Sequence, residues 1–319
     1  MTRSGAPGDH VGYFHEAVCY DTDDELLAVL LPFLTGGVDE KEPTVVSLGP
    51  EKADLVRRAL PAGVLPGVTF MTGGSVYARP AAAIRAYREL MAGYVAEGAA
   101  QIRIVGEIPR PSFGATWHWW ARYESAINHA YDEFPLWSLC AYDSRITPSA
   151  VLADVARTHP RSLHADGSHR PSDTYASPES FLAAWPPVAP DVLQSGPPLI
   201  TLVDPTASRA RGAVSLVDPG LPTDEVDELV IAVSEVVTNA LRHGLPPVRV
   251  CYWSGPDRIV VSVTDGGTGP TDPFAGLFPS RDSVTGGLGL WITHQSCNYV
   301  AFSRDDSGFT LRLTAGNPL

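Results

Sequence analysis

Glu235-Val236-Val237-Thr238-Asn239, Val263-Thr264-Asp265-Gly266-Gly267-Thr268-Gly269 and Gly286-Gly287-Leu288-Gly289-Leu290 follow one another between Asp224 and Ile292. The apolar spacing around the first segment predicts a helix, on which Glu235, Asn239 and His243 recur at i, i+4 and i+8 and share one face. Thr223 is the expected cap of that helix, and Asp224, Glu225, Asp227 and Glu228 suit its positive end. A carboxylate and an amide one turn apart can divide two tasks: the amide oxygen of Asn239 can hold Mg2+, and Glu235 can activate a nucleophile. Asp265 ends an apolar strand, where its carboxylate can accept a hydrogen bond from an adenine amino group. Gly267 and Gly269 let the backbone approach base and ribose. Gly286, Gly287, Leu288 and Gly289 lead into a helix starting near Leu290, whose exposed amides can cradle phosphates without a lysine. Each piece alone is common, since a helical Glu or Asn is usually solvated, Asp-Gly is usually a turn and Gly-Gly is usually a cap. Their combination in this order specifies a nucleotide pocket.

Outward from these segments, 199–203, 248–253, 258–264, 299–302 and 309–313 read as strands and 207–217 as a helix. Hairpin turns are expected at Gly255-Pro256-Asp257 and Asp305-Asp306-Ser307-Gly308. Pro270 to Thr285 reads as a mobile lid whose single base is Arg281. On these residues the region 197–319 resembles the GHKL ATPase family, an α/β sandwich. Glu235 and Asn239 stand at the N box, Asp265, Gly267 and Gly269 at the first glycine box, and Gly286, Gly287 and Gly289 at the second. Within the family it is most similar to the short-lidded anti-sigma-factor serine/threonine kinases of the RsbW/SpoIIAB type. The resemblance implies binding of ATP and Mg2+, phosphoryl transfer to a serine or threonine of an anti-anti-sigma (STAS) protein, alternative binding of a sigma factor, and a homodimer. Two departures bear on catalysis: Leu288 stands where kinase relatives often carry arginine, and Asn298 where an acidic residue is frequent. A histidine kinase would need a preceding helix pair bearing a phospho-acceptor histidine, whereas His169 lies in a proline-rich stretch. A non-catalytic, nucleotide-gated binding module is the alternative of a different class.

The N-terminal half has another rhythm. A short tail, 1–9, precedes His10-Val11-Gly12-Tyr13-Phe14, which reads as a strand, and Leu26 to Leu34 form a helical stripe that Gly36-Gly37 is expected to end. Strands at 44–48, 68–71, 101–107 and 136–143 alternate with helices at 51–60, 81–96 and 116–131, the pattern of a parallel sheet covered on both faces. No loop matches the phosphate-cradling GxxxxGK[ST] pattern. The DDELL helix, the VVSLGPEK turn, IRIVGE, the Trp120/Tyr123/Glu124 helix, LCAYD and Arg157-Thr158-His159-Pro160 resemble the MEDS (DcmR-type sensory) domain over 10–164. That resemblance implies a RecA/KaiC-like α/β fold that senses a small molecule. Candidate sensory residues are His10, Cys19, His118, His129, Cys140 and His159, as a soft-ligand, metal or thiol redox site. The plainer reading makes Cys140 a small buried hydrophobe and the histidines ordinary hydrogen-bonding residues, and their spacings fit no standard zinc pattern. Trp117, Trp119 and Trp120 read first as core packing.

Between the halves, 165–196 is rich in Pro, Ser, Asp and Gly and reads as a semi-rigid spacer. The 319 residues leave room for two domains, and 44% hydrophobic with 18% charged residues is the composition of a globular protein. A net charge of −13 disfavours nucleic acid and anionic lipid as partners. No apolar run nears the roughly 20 residues a spanning helix needs, and no signal-peptide core follows Met1, so a cytoplasmic location is expected. The four cysteines, Cys19, Cys140, Cys251 and Cys297, form no CxxC pair and are expected as reduced thiols.

Overall fold

The structure is a computed structural model and describes residues 12–71, 77, 79–184, 188–279, 288–306 and 308–318. The chain divides into two compact units, Met1–Ala78 with Ala83–Phe181 and Arg79–Ala82 with Leu182–Leu319.

The first unit is built on strands β1 (Phe14–Tyr20), β2 (Thr44–Ser47), β3 (Val68–Phe70), β4 (Ile102–Gly106), β5 (Leu136–Asp143), β6 (Arg161–Leu163) and β7 (His169–Pro171). They form one sheet in the order β3-β2-β4-β5-β1-β6-β7. All neighbours are parallel except β7, which runs antiparallel to β6, so the expected parallel sheet acquires one antiparallel edge. Helices α1 (Asp23–Asp39), α2 (Pro50–Ala59), α3 (Pro80–Ala96), α4 (Trp117–Ala130), α5 (Ser149–Thr158) and α6 (Pro178–Ala183) alternate with the strands. Strand periodicity sends Phe14, Val18, Tyr20, Trp137, Leu139 and Ala141 into a core with Leu26, Leu30 and Leu34 of α1. Each such fully buried side chain contributes about 1.5–3 kcal/mol. The intervening residues His15, Ala17, Ser138, Cys140 and Tyr142 belong to the other face.

Three sequence readings change here. The first described strand lies at 14–20; of the expected 10–14, residues 10 and 11 lie outside the described residues and 12 and 13 precede the strand, while His15 and Glu16 interrupt its apolar pattern yet are buried among polar partners. Helix α1 runs through Gly36-Gly37, which pack against the buried Arg103: a Cβ on Gly36 would stand 3.1 Å from the Arg103 Nη1. The expected spacer carries structure at both ends. His169–Pro171 is the sheet edge β7, and Ala176 N–H donates 2.9 Å to the Arg157 carbonyl. Farther on, Asp191 pairs with Arg258 at 3.2 Å, and Arg312 donates 2.9 Å to Gln194, so 191–195 lies against the second sheet.

The second unit carries an antiparallel sheet of β8 (Ile200–Val203), β9 (Arg249–Ser254), β10 (Arg258–Asp265), β11 (Tyr299–Asp305) and β12 (Gly308–Gly316), in the order β11-β12-β10-β9-β8. Helices α7 (Ala207–Val214), α8 (Thr223–His243) and α9 (Gly289–Ser296) accompany it. Leu229, Ala232, Val233, Val236, Val237 and Ala240 of α8 bury against Val250, Tyr252, Ile259, Val261, Leu311 and Leu313 of the sheet. This is helix-on-sheet layering in an α/β sandwich, consistent with the GHKL expectation. The α8 cap is Pro222 rather than Thr223, without a side-chain cap hydrogen bond; Asp224 and Glu225 sit in the first turn and Arg242 and His243 in the last, matching the helix dipole.

Candidate functional site: a pocket between α8, β10 and α9

A cavity of about 240 Å³ opens between α8, the end of β10 and the start of α9. Asn239 and His243 line it from the helix, Asp265 and Gly269 from the strand end and its turn, Gly289 and Leu290 from the next helix, and Phe309 from β12. Four segments remote in sequence thus border one space. Register explains the strand contribution: β10 pairs with β9 and β12, and Asp265 stands opposite Phe309. The buried Asp265 is oriented by the backbone, its Oδ1 accepting N–H bonds from Gly267 at 2.7 Å and Leu245 at 3.2 Å.

Two glycines have steric reasons. Gly269 has φ +71°, a left-handed turn, and a Cβ there would run into the Phe309 ring. Gly289 opens α9 directly against α8: a Cβ would stand 2.6 Å from the Glu235 Oε2 and 3.1 Å from the Asn239 Nδ2. Glu235 is half-buried one turn before Asn239 and meets the pocket through Gly289 rather than lining it. Leu288 precedes α9 and is 37% exposed. Residues 280–287, with Arg281, Gly286 and Gly287 among them, lie outside the described residues. Gly244, the residue that caps the end of α8, also lines the cavity. Its place beside Asp265 follows from α8 and β10 ending at the same edge, which no local motif announces.

In the first unit the carboxyl ends of β2, β4 and β5 border a cleft of about 320 Å³ lined by Gly49, Pro50, Lys52, Glu107, Arg110 and Asp143. Glu107 Oε2 accepts the Gly49 N–H at 3.0 Å, and burial raises its pKa above the ordinary carboxylate value. The candidate sensory residues separate. Cys19 is exposed on β1, His129 is exposed and His118 half-buried on α4, and His10 lies outside the described residues. Cys140 and His159 come together, and with them His15 and Glu124, all four donor atoms falling within 4.8 Å of one another. His15 escaped the sequence reading, and Glu124 entered it only as part of a family pattern. Strand alternation was the available signal, because it puts His15 and Cys140 on the same face of adjacent strands. Trp117, Trp119 and Trp120 are buried.

Residues 14–160 match the family described as the methanogen/methylotroph, DcmR sensory (MEDS) domain, and residues 203–315 match the histidine kinase-like ATPase domain. The chain joins a MEDS sensory domain to a histidine kinase-like ATPase domain. No curated protein matches it. The pocket described above falls inside the ATPase domain, and the His15–Glu124–Cys140–His159 cluster inside the MEDS domain. Among the described residues no helix is long and apolar enough to cross a membrane.

Proposed function

We propose that this protein is a cytoplasmic anti-sigma regulatory factor with ATP- and Mg2+-dependent serine/threonine kinase activity. It phosphorylates an anti-anti-sigma (STAS) partner, sequesters a sigma factor, works as a homodimer, and is set by a small-molecule or redox signal in its MEDS domain. The supporting observation is the close approach of Gly289 to both Glu235 and Asn239, which brings the start of α9 against the helix face that carries the two groups.

The residues divide the work by chemistry. Asp265, held by two backbone amides, would accept the adenine amino hydrogen bond, with Phe309 and the Gly269 turn beside the base. The amide oxygen of Asn239 would hold Mg2+, which when bound neutralises phosphate charge. The N-terminal amides of α9 suit phosphate oxygens. Glu235 would take the proton of the attacking hydroxyl, and the remaining catalysis is positioning and charge stabilisation. Leu288, at the position where kinase relatives often carry arginine, favours one second reading, a nucleotide-gated binder without transfer.

The test is transfer of the γ-phosphate of ATP to a cognate STAS protein by the full chain. Transfer by the wild type and its loss in Glu235→Ala, with ATP binding retained, are expected. Binding of ATP by the wild type with no transfer would reject the kinase and leave the gated binder. Native mass spectrometry with ATP and Mg2+ reads nucleotide, metal and subunit number together.

A further inference from the structure

Four side chains with metal-binding atoms converge in the interior of the MEDS domain. They come from four elements: His15 from β1, Glu124 from α4, Cys140 from β5 and His159 from the residue after α5. The side chains of His15, Glu124 and His159 are at most 1% exposed, while Cys140 is half-buried. His15 Nε2 lies 3.3 Å from the Cys140 Sγ and 3.6 Å from the Glu124 Oε2. His159 Nε2 lies 3.4 Å from the same carboxylate oxygen, and the Cys140 Sγ 3.7 Å from it. Four donors around a tetrahedral Zn2+, with metal–ligand bonds of about 2.0–2.3 Å, stand on the order of 3.3–3.6 Å apart. Four of the six separations, at 3.3–3.7 Å, come close to those dimensions, and all six lie within 4.8 Å.

The hydrogen bonds behind the cluster determine which atoms face it. Asn128 Nδ2 donates to the carbonyls of Glu124, Ser125 and Thr158, at 3.1, 3.1 and 2.8 Å, so the Asn128 Oδ1 is turned the other way. That oxygen lies 3.0 Å from the His15 Nδ1, which therefore carries a proton and turns the Nε2 inward, toward the cluster. His159 repeats the arrangement, its Nδ1 donating 2.9 Å to the Val155 carbonyl. The inward Nε2 of His159 is buried with no hydrogen-bond partner, although the Glu124 Oε2 is 3.4 Å away. A buried polar atom left without a partner calls for an explanation, and an ion or water is one of the standard ones. Tyr142 completes the outer layer, donating 3.0 Å to the Glu124 Oε1. Ligand histidines held by a carbonyl or amide through the other nitrogen are the usual second layer of a metal site.

Charge points the same way. The two imidazole centroids are 4.0 Å apart, too close for both to be protonated. When a divalent cation binds, the Cys140 Sγ–H bond breaks, an Sγ–metal bond forms and the proton leaves to solvent. One thiolate and one carboxylate then offset two positive charges, leaving a neutral site in a buried place.

We infer that His15, Glu124, Cys140 and His159 form a closed, four-coordinate site for a borderline-soft divalent cation of the Zn2+ type inside the MEDS domain. Thiolate and imidazole select against Mg2+ and Ca2+, which take oxygen ligands. Four protein donors leave no position for a substrate water, which suits a structural or signal-reporting metal rather than a hydrolytic one.

Full-length protein stripped with chelator and reloaded with Zn2+ should hold one ion per MEDS domain by elemental analysis. Loaded with Co2+, it should show the visible bands of tetrahedral cobalt and a near-ultraviolet thiolate-to-cobalt band. Cys140→Ser should remove the thiolate band and weaken Zn2+ binding about 100-fold, and Asn128→Ala should weaken it about tenfold through His15. Because either variant could misfold, the wild type carries a second measurement. Zn2+ should shield Cys140 from a thiol-alkylating reagent, read peptide by peptide, while the exposed Cys19 goes on reacting. Failure to retain Zn2+, an octahedral cobalt spectrum, or Cys140 labelling that Zn2+ leaves unchanged would each overturn the inference.

Discussion

In the ATPase domain the polar groups of the pocket come from one helix and the turns that follow a strand and precede a helix. They border a cavity, and Asp265 is held by the backbone amides of Gly267, two residues on, and of Leu245. In the MEDS domain the polar groups of the cluster come from four elements spread from His15 to His159, and three of the four are buried. A pocket bordered by turns can be recognised piece by piece. A polar cluster inside a sheet–helix interior exists only once strand order and register have put its members together. The first kind of site can change by mutation without endangering the core, whereas the second is part of the core and costs stability when disturbed.

The largest test of that contrast lies in another buried polar pair of the MEDS domain. Arg103 is 2% exposed and donates 2.6 Å to Glu42, while its Nη1 donates 2.8 Å to the Phe33 carbonyl. Glu42→Gln removes the carboxylate beside a buried guanidinium and should cost about 3 kcal/mol, read as faster hydrogen exchange in β2, β4 and β5. ATP affinity should stay within about twofold of wild type; a large loss would show that the two domains do not keep their polar groups independently.

Next in size is Asp265→Asn. The exchange removes the charge that Gly267 and Leu245 support and turns one oxygen into a donor. ATP affinity should fall about 100-fold by calorimetry, equivalent to about 2–3 kcal/mol for hydrogen bonds to a charged group. Exchange in the MEDS strands should not change. Gly289→Ala is milder, because its methyl meets Glu235 and Asn239 at the far ends of their side chains. About tenfold weaker nucleotide binding is expected, within the usual cost of overpacking. Unchanged binding would mean that α9 can retreat from α8 without consequence.

The smallest effect is an acid one. Arg145 donates 2.8 Å to the Asp143 Oδ1 and 2.6 Å to its Oδ2, and these bonds hold the Asp143 carboxyl below its ordinary pKa. A carboxylate lowered in the folded state adds stability that is complete above the unfolded value of about 4 and lost as pH falls through the folded one. Asp143→Asn should therefore be less stable than wild type at pH 7, and the gap should close in acid. A deficit that persists at low pH would assign the effect to packing instead of charge.

Much of the ATPase domain was legible from local signals. Turn chemistry, helix spacing and strand alternation placed α8, β10 and the start of α9 within a residue or two. The expected strand 136–143 also coincides with β5. The signals failed where a residue type served a distant partner. Gly36-Gly37 looked like a helix end but makes room for Arg103, and His15-Glu16 looked unlike a strand interior but is one. His169–Pro171 looked like spacer because three residues that complete a sheet edge carry no periodicity of their own.

By itself the sequence determined the two-domain organisation, the helix face bearing Glu235 and Asn239, and the strand end bearing Asp265, because each depends on contacts within a few residues. Only the tertiary structure decided that Gly289 closes on that helix face, that Gly244 lies beside Asp265, and that His15 and Glu124 join Cys140 and His159. Those contacts span up to 144 positions from His15 to His159 and depend on strand order and on how helices cover each sheet. Spacing along the chain carries no record of either.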